Sequence, residues 1–167
     1  TNIINEVEFV KKELQKLKIN PDFKENLDLS ENLKNLNKQL SKVRIEIIKK
    51  DKSKNIIHDK KIGDILIREQ ILKDFPPKEL RGIIDQGKKE IKSGVIISIS
   101  TFEGKVGIAI GVSQDLTPKF DAVTLVKIAS EILGGKGGGG RKDFAQAGGV
   151  DQSKIEKAFE GVRKKIN

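Results

Sequence analysis

The stretch GGKGGGGRKDFAQAGG, Gly134 to Gly149, carries eight glycines, three cations and one acid. Backbone without Cβ atoms lets a partner surface approach peptide N–H groups, and successive amides facing one way form a nest for anionic oxygen. Lys136, Arg141 and Lys142 add ammonium and guanidinium donors to the run, an arrangement suited to phosphate and ribose. It is not a Walker loop, because no Lys-Ser or Lys-Thr follows the glycines. A dinucleotide fingerprint opens a helix directly after a strand, and this run follows a helical pattern. Gly134 and Gly135 are accounted for as a helix stop, which needs a single glycine in the left-handed region. The other six point to a polyanion-contact loop over 134–149, with a flexible linker as the alternative.

Other chemistry is thinly supplied. The chain has no cysteine and one histidine, so disulfides, thiolate metal sites and His-rich metal sites are excluded. His58, between Ile57 and Asp59, reads as a partly exposed linker residue. Lys and Arg number 33 against 24 Asp and Glu, a net charge of +9 that favours polyanions. A composition rich in Lys, Ile and Asn produces the same balance without any nucleic acid, and the excess is spread along the chain. No apolar run reaches eighteen residues and no charged-then-apolar leader is present, so a membrane partner is not expected and the cytoplasm is the expected compartment. With no methionine even at position 1, the sequence reads as a piece of a larger protein.

The elements that must position the glycine run fall into two patterns. Ile3, Val7, Val10, Leu14 and Leu17 step by four and three, Asn20-Pro21 interrupts, and Leu29, Leu33, Leu36, Leu40, Val43 and Ile47 repeat the spacing. Two such narrow apolar seams predict a coiled-coil-like helical hairpin over 1–54, suited to a spacer or a dimer seam. The polar run KKDKSKNIIHDKK predicts a boundary, with the linker at 55–61.

From 62 to 167 short β-branched runs, DILIREQIL, SGVIISIST and KVGIAIGVS, read as strands, the last two joined by Phe102-Glu103-Gly104 as a hairpin. One helix begins around Pro76-Pro77 and stops at Gly94, a second starts with Thr117 as cap and Pro118 in its first turn, and a third follows Asp151 or Ser153. The order β-α-β-β-α-α predicts an α+β globular domain, a mainly antiparallel sheet packed by helices.

At the glycine run the sequence resembles a known family. GGKGGGGRKDFAQAGG is similar to the signature near the carboxyl end of alanyl-tRNA synthetases, a glycine-rich run followed by Arg-x-Asp-x-Ala-Gln-Ala-Gly-Gly. EGKVGIAIGVSQDLTPKFDAVTLVKIASEILGG resembles the strand, Gly-Val-Ser segment and helix preceding it. The signature falls on Gly134, Gly135, Gly137, Gly138, Gly139, Gly140, Arg141, Asp143, Ala145, Gln146, Ala147, Gly148 and Gly149. Lys142 stands where the family commonly has proline, and the run before Arg141 is one glycine longer.

The resemblance implies a C-terminal region that follows the editing domain. Its helical part, with the seam Val7, Val10, Leu14, Leu17, Leu33, Leu36, Leu40, Val43 and Ile47, is then associated with homodimerisation. Its DHHA1-like globular part would bind the outer corner of tRNA and help bring the aminoacylation and editing domains onto one tRNA. Gly135, Lys136, Gly137, Gly138, Gly139, Gly140, Arg141, Lys142, Asp143 and Gln146 become the candidate tRNA-binding residues. No catalytic residue, metal or cofactor is expected in these residues; ATP, magnesium and zinc would belong to upstream domains of the same chain. Asp143 can orient Arg141, and Gln146 can pair with backbone inside the fold. Phe144 reads as core in the alternating DFAQA, with base stacking as the alternative. The rival readings are an oligomerisation module without RNA affinity, and the DHHA1 module of a DHH phosphodiesterase, whose Asp-His-His motif has no counterpart here.

Overall fold

In the computed structural model, which describes residues 2–167, the chain divides into two units, one ending at Ile47 and the other spanning Ile48–Asn167. The first is the expected helical hairpin. Helix α1 (Asn2–Lys16) and α2 (Leu29–Lys50) bury Val7, Val10, Leu14, Leu36 and Leu40 together, with Leu17, Leu29, Leu33 and Phe23 packed around them. The pairing is antiparallel within one chain. Arg44 reaches Glu13 at 3.2 Å, while nearer the connection the amide of Asp22 donates to Gln39 Oε1 at 2.8 Å. Asn32 is fully buried at the connection, accepting from the amide of Lys24 and donating to its carbonyl, each at 2.8 Å. The seam ends earlier than its spacing suggests. Val43 is half-buried and Ile47 is 49% exposed, so neither joins the hairpin's buried cluster.

The second unit is a six-stranded sheet in the order β1-β2-β3-β4-β6-β5. Its strands are β1 (Asn55–Ile62), β2 (Ile65–Lys73), β3 (Val95–Phe102), β4 (Lys105–Val112), β5 (Gly138–Gly140) and β6 (Phe144–Gly149). Every neighbouring pair is antiparallel except β2 and β3, which run parallel with α3 (Leu80–Ile91) between them in sequence. Alternation along the strands splits the side chains between two faces. Val95, Ile97, Ile99, Val106, Ile108 and Ile110 point to one face and pack with Leu125, Ala129, Phe159 and Val162, which lie on α4 (Ala122–Ile132) and α5 (Ile155–Ile166). The opposite face takes α3. A Cβ at Gly111 would strike Ile84 and stand 3.0 Å from Lys88 Cε, so the absence of a side chain there lets α3 lie close on β4.

The α+β class and the mainly antiparallel sheet agree with expectation, and four local readings change. Residues 55–61, read as a linker, belong to β1, which pairs with β2 along its whole length. Its charged side chains are tolerated because it is an edge strand, where lysine blocks further pairing. The glycine run is not a loop but β5, a tight turn and β6, so the order is ββαββαββα in this unit. Helix α4 starts at Ala122, not near Thr117: the Asp121 side chain accepts from the amide of Val123 as its cap. Helix α3 ends at Ile91 with Lys92 at φ 65°, before Gly94.

Candidate nucleic-acid interface

The β5–β6 hairpin reverses over Lys142 and Asp143. Arg141 and Phe144 exchange both backbone hydrogen bonds, Arg141 N to Phe144 O at 2.7 Å and Phe144 N to Arg141 O at 3.2 Å. Mutually bonded pairs alternate along an antiparallel ladder. With the register Gly140↔Ala145, Gly139↔Gln146, Gly138↔Ala147, Gly139 turns its amide inward to Gln146, while Gly138 and Gly140 present theirs along the free edge. The backbone donors therefore alternate in and out, and do not converge as a nest.

Two kinds of glycine share the run. A Cβ at Gly138 would meet the carbonyl oxygen of Gln146 and stand 2.5 Å from the Ala147 Cβ, so the fold itself excludes a side chain there. At Gly139 nothing lies within 4 Å. The bare surface over Gly139 is thus not demanded by packing, and a planar partner can lie flat against it.

The tip is fixed to the body of the domain. Its carbonyls reach three elements: Lys142 O accepts from the Ala122 amide at 2.9 Å, and Asp143 O accepts from the Val112 amide at 2.9 Å and from Lys88 Nζ at 2.7 Å. At the other end, fully buried Ser130 on α4 donates to Gly148 O at 2.7 Å and accepts from the Gly137 amide at 3.2 Å. Both pendant anchors were missed in the sequence. A serine on an otherwise apolar helix face was the available signal for Ser130; nothing local marked Lys88 as an anchor rather than a solvated lysine.

Arg141 and Lys142 lie at this tip, whereas Lys136 precedes β5 at its other end. Arg141 is exposed, its Nε 3.5 Å from Asp143 Oδ1, so Asp143 does face Arg141. Lys136 and Lys142 are exposed, and among the described residues neither forms an ion pair. Gln146 is half-buried and donates to Pro77 O at 3.3 Å, inside the fold. Phe144 is buried, as its alternation suggests, and Arg81 of α3 holds its guanidinium carbon 4.7 Å from the ring centroid. Burial pushes the half-buried Lys88 ammonium below the usual lysine range; Asp143 and Asp85 oppose that, while Arg141 and Arg81 add to it. Arg81 thus joins a group the sequence analysis did not assemble. Among the described residues no three His, Asp or Glu side chains are grouped to hold a metal, and no helix is long and apolar enough to cross a membrane.

A three-layer α+β domain with a glycine-edged hairpin describes a family of known fold. The chain belongs to the DHHA1 domain family, which matches residues 65–167. Within it the similarity is to alanine–tRNA ligases: 47% identity over 102 residues to that of Granulibacter bethesdensis and 50% over 102 residues to that of Rhodopseudomonas palustris. These alignments take in 61% and 60% of the chain but 12% of each relative, so the chain spans a small part of their length. The C-Ala domain of Aquifex aeolicus alanyl-tRNA synthetase is similar in structure, with a TM-score of 0.61 and 29% identity over 65% of this chain and 96% of that one. RecJ of Thermus thermophilus shares the fold, with a TM-score of 0.54 at 13% identity over 81% of this chain and 18% of that one.

Proposed function

We propose that the globular unit binds the outer corner of a folded tRNA as the C-terminal part of an alanine–tRNA ligase, helping to hold one tRNA for the aminoacylation and editing domains upstream. The observation that carries the reading is the bare surface over Gly139 beside exposed Arg141 and Lys142, on a hairpin tip tied to α3, β4 and α4. Folded RNA displays unstacked bases, riboses and closely spaced phosphates where its loops meet, and proteins read such places by shape, stacking and 2′-hydroxyl contacts. A flat glycine surface admits a base or ribose to the backbone, and Lys136, Arg141 and Lys142 hold the phosphates around it. The action is binding rather than bond-making. Since the chain is one part of a longer enzyme in its relatives, a weak local contact is strengthened by tethering to the other domains.

The test is a titration of this chain against folded tRNA and against an unstructured RNA of equal length, at two salt concentrations. Preference for the folded RNA that survives the higher salt supports the reading; equal binding to both, lost with salt, overturns it. Arg141→Ala weakens binding by about 1–3 kcal/mol if its contact is charge-assisted. Unchanged affinity with a lowered melting temperature would assign Arg141 to the fold instead.

Self-association through the helical unit belongs to the same proposal. Its support is that Ile4, Phe9 and Ile47 remain exposed after α1 and α2 have packed on each other, leaving apolar surface for a second copy. Sedimentation at increasing concentration tests it, and a monomer throughout would overturn it.

A further inference from the structure

We propose that Arg81, on α3, binds a phosphate of the same RNA, so that the interface is built from α3 and the hairpin together; this rests on the tRNA reading above. The face of the sheet decides the matter. Gly111 pairs with Phe144, Ala109 with Gln146, and Gln146 in turn with Gly139. Laterally paired residues share a face, and the Gly111 face is the one on which α3 lies. The open surface over Gly139, the Phe144 ring and Arg81 are therefore on one side of the sheet, at the end where β5 and β6 reverse.

Arg81 is prepared for this role. Its guanidinium carbon lies 4.7 Å from the Phe144 ring centroid while the residue stays exposed, so less freedom is lost when a phosphate docks. Among the described residues it forms no ion pair. It also stands seven residues from Lys88, two turns along one helix face. Burial is the main cause of the lowered Lys88 pKa, Asp143 and Asp85 oppose it, and Arg141 and Arg81 are both near enough to add to it. Asp143 lies 4.0 Å from Lys88 and 3.5 Å from Arg141, which leaves Arg81 as the cation of this group open to a phosphate.

The experiment is the tRNA titration of the whole chain over a salt series with Arg81→Gln, Arg81→Lys and a distant control, Lys105→Gln. Lys105 is exposed at the β3–β4 turn, the opposite end of β4 from Gly111. Arg81→Gln should weaken binding about fivefold to tenfold and lower the slope of log affinity against log salt by about one, with an unchanged melting temperature. Arg81→Lys should restore the slope, and Lys105→Gln should leave it as in the parent chain. A parent chain that does not prefer folded tRNA overturns the tRNA reading and this inference with it. A parent chain that binds, with an Arg81→Gln slope equal to its own or lowered no more than by Lys105→Gln, overturns the inference alone.

Discussion

Replacing neighbouring glycines of β5 by alanine separates what the fold requires from what a ligand requires. In Gly138→Ala the new methyl would run into Gln146 O and stand 2.5 Å from the Ala147 Cβ. Both obstacles belong to β6, whose Ala145 and Ala147 pack toward the core, so β5 must lift away. The two mutual hydrogen bonds between Gly139 and Gln146 go with it, at about 1 kcal/mol each. A local opening cost lowered by about 2 kcal/mol speeds amide exchange at Gly139 roughly thirtyfold. In Gly139→Ala the methyl meets no atom within 4 Å, and Gly139 is absent from the positive-φ glycines. Its exchange should stay within about twofold of the parent and its stability within about 0.5 kcal/mol. Hydrogen exchange followed by mass spectrometry reads both, and the tRNA titration follows on the same samples. Gly138→Ala should lose RNA binding together with protection; Gly139→Ala should lose RNA binding alone. Equal exchange in the two variants would refute the packing assignment, and parent-like affinity in Gly139→Ala would refute the role of the bare surface.

Two further expectations concern the scaffold. Glu69, 4% exposed on β2, lies between Lys60 at 3.1 Å and Arg163 of α5 at 2.6 Å. Glu69→Gln should cost about 2–3 kcal/mol in urea unfolding, below the range for a fully buried pair because both cations keep contact with water; a loss under about 0.5 kcal/mol would show that the pair contributes little. Hydrogen bonds from Ser113 and then Ser93 hold the Asp115 carboxyl below the usual carboxylate range. A depressed folded pKa contributes stability above the unfolded pKa and loses it as pH falls through the folded value, so the effect fades below about pH 4. Ser93→Ala should make the acid loss shallower in thermal melts at stepped pH, and an unchanged profile would discount the Ser93 bond.

What the sequence showed of this architecture depended on whether side chains carried a period. Strands β3 and β4 are dense in β-branched residues between turn signals, and the seams of α1 and α2 step by three and four; both were legible. Strand β1, NIIHDKKI, hides its alternation under charge, because an edge strand carries polar residues on both faces. Strand β5 is three glycines and has no side chains in which a period could appear. Its pairing is visible only through β6, whose DFAQA alternation was read correctly for Phe144. Helix α4 reads in the sequence as starting at Thr117, but Gln114–Leu116 forms a separate 3-10 turn that ends there and Asp121 caps the helix instead. Of the candidate site, the cations at the tip were legible from composition. Arg81 was not, since it reaches Phe144 only through the lateral pairing of β4 with β6 and the packing of α3 above, a relation between residues 63 positions apart.

The ion pair between Glu69 and Arg163 ties one of the first strands of the sheet to the last helix. A ribosome delivers Arg163 roughly ninety residues after Glu69, which at the usual elongation rates is an interval of about 5–20 s. For the part of it between Val112 and Phe144, about 2–6 s at the same rates, β4 has no neighbour on its outer side, because β6 has not yet been made, and VGIAIGV stands as an apolar open edge. Production of the globular unit is thus a race between translation and edge-to-edge association of nascent chains. Slowing synthesis between β4 and β6 should lower the soluble yield even though the finished protein is the same.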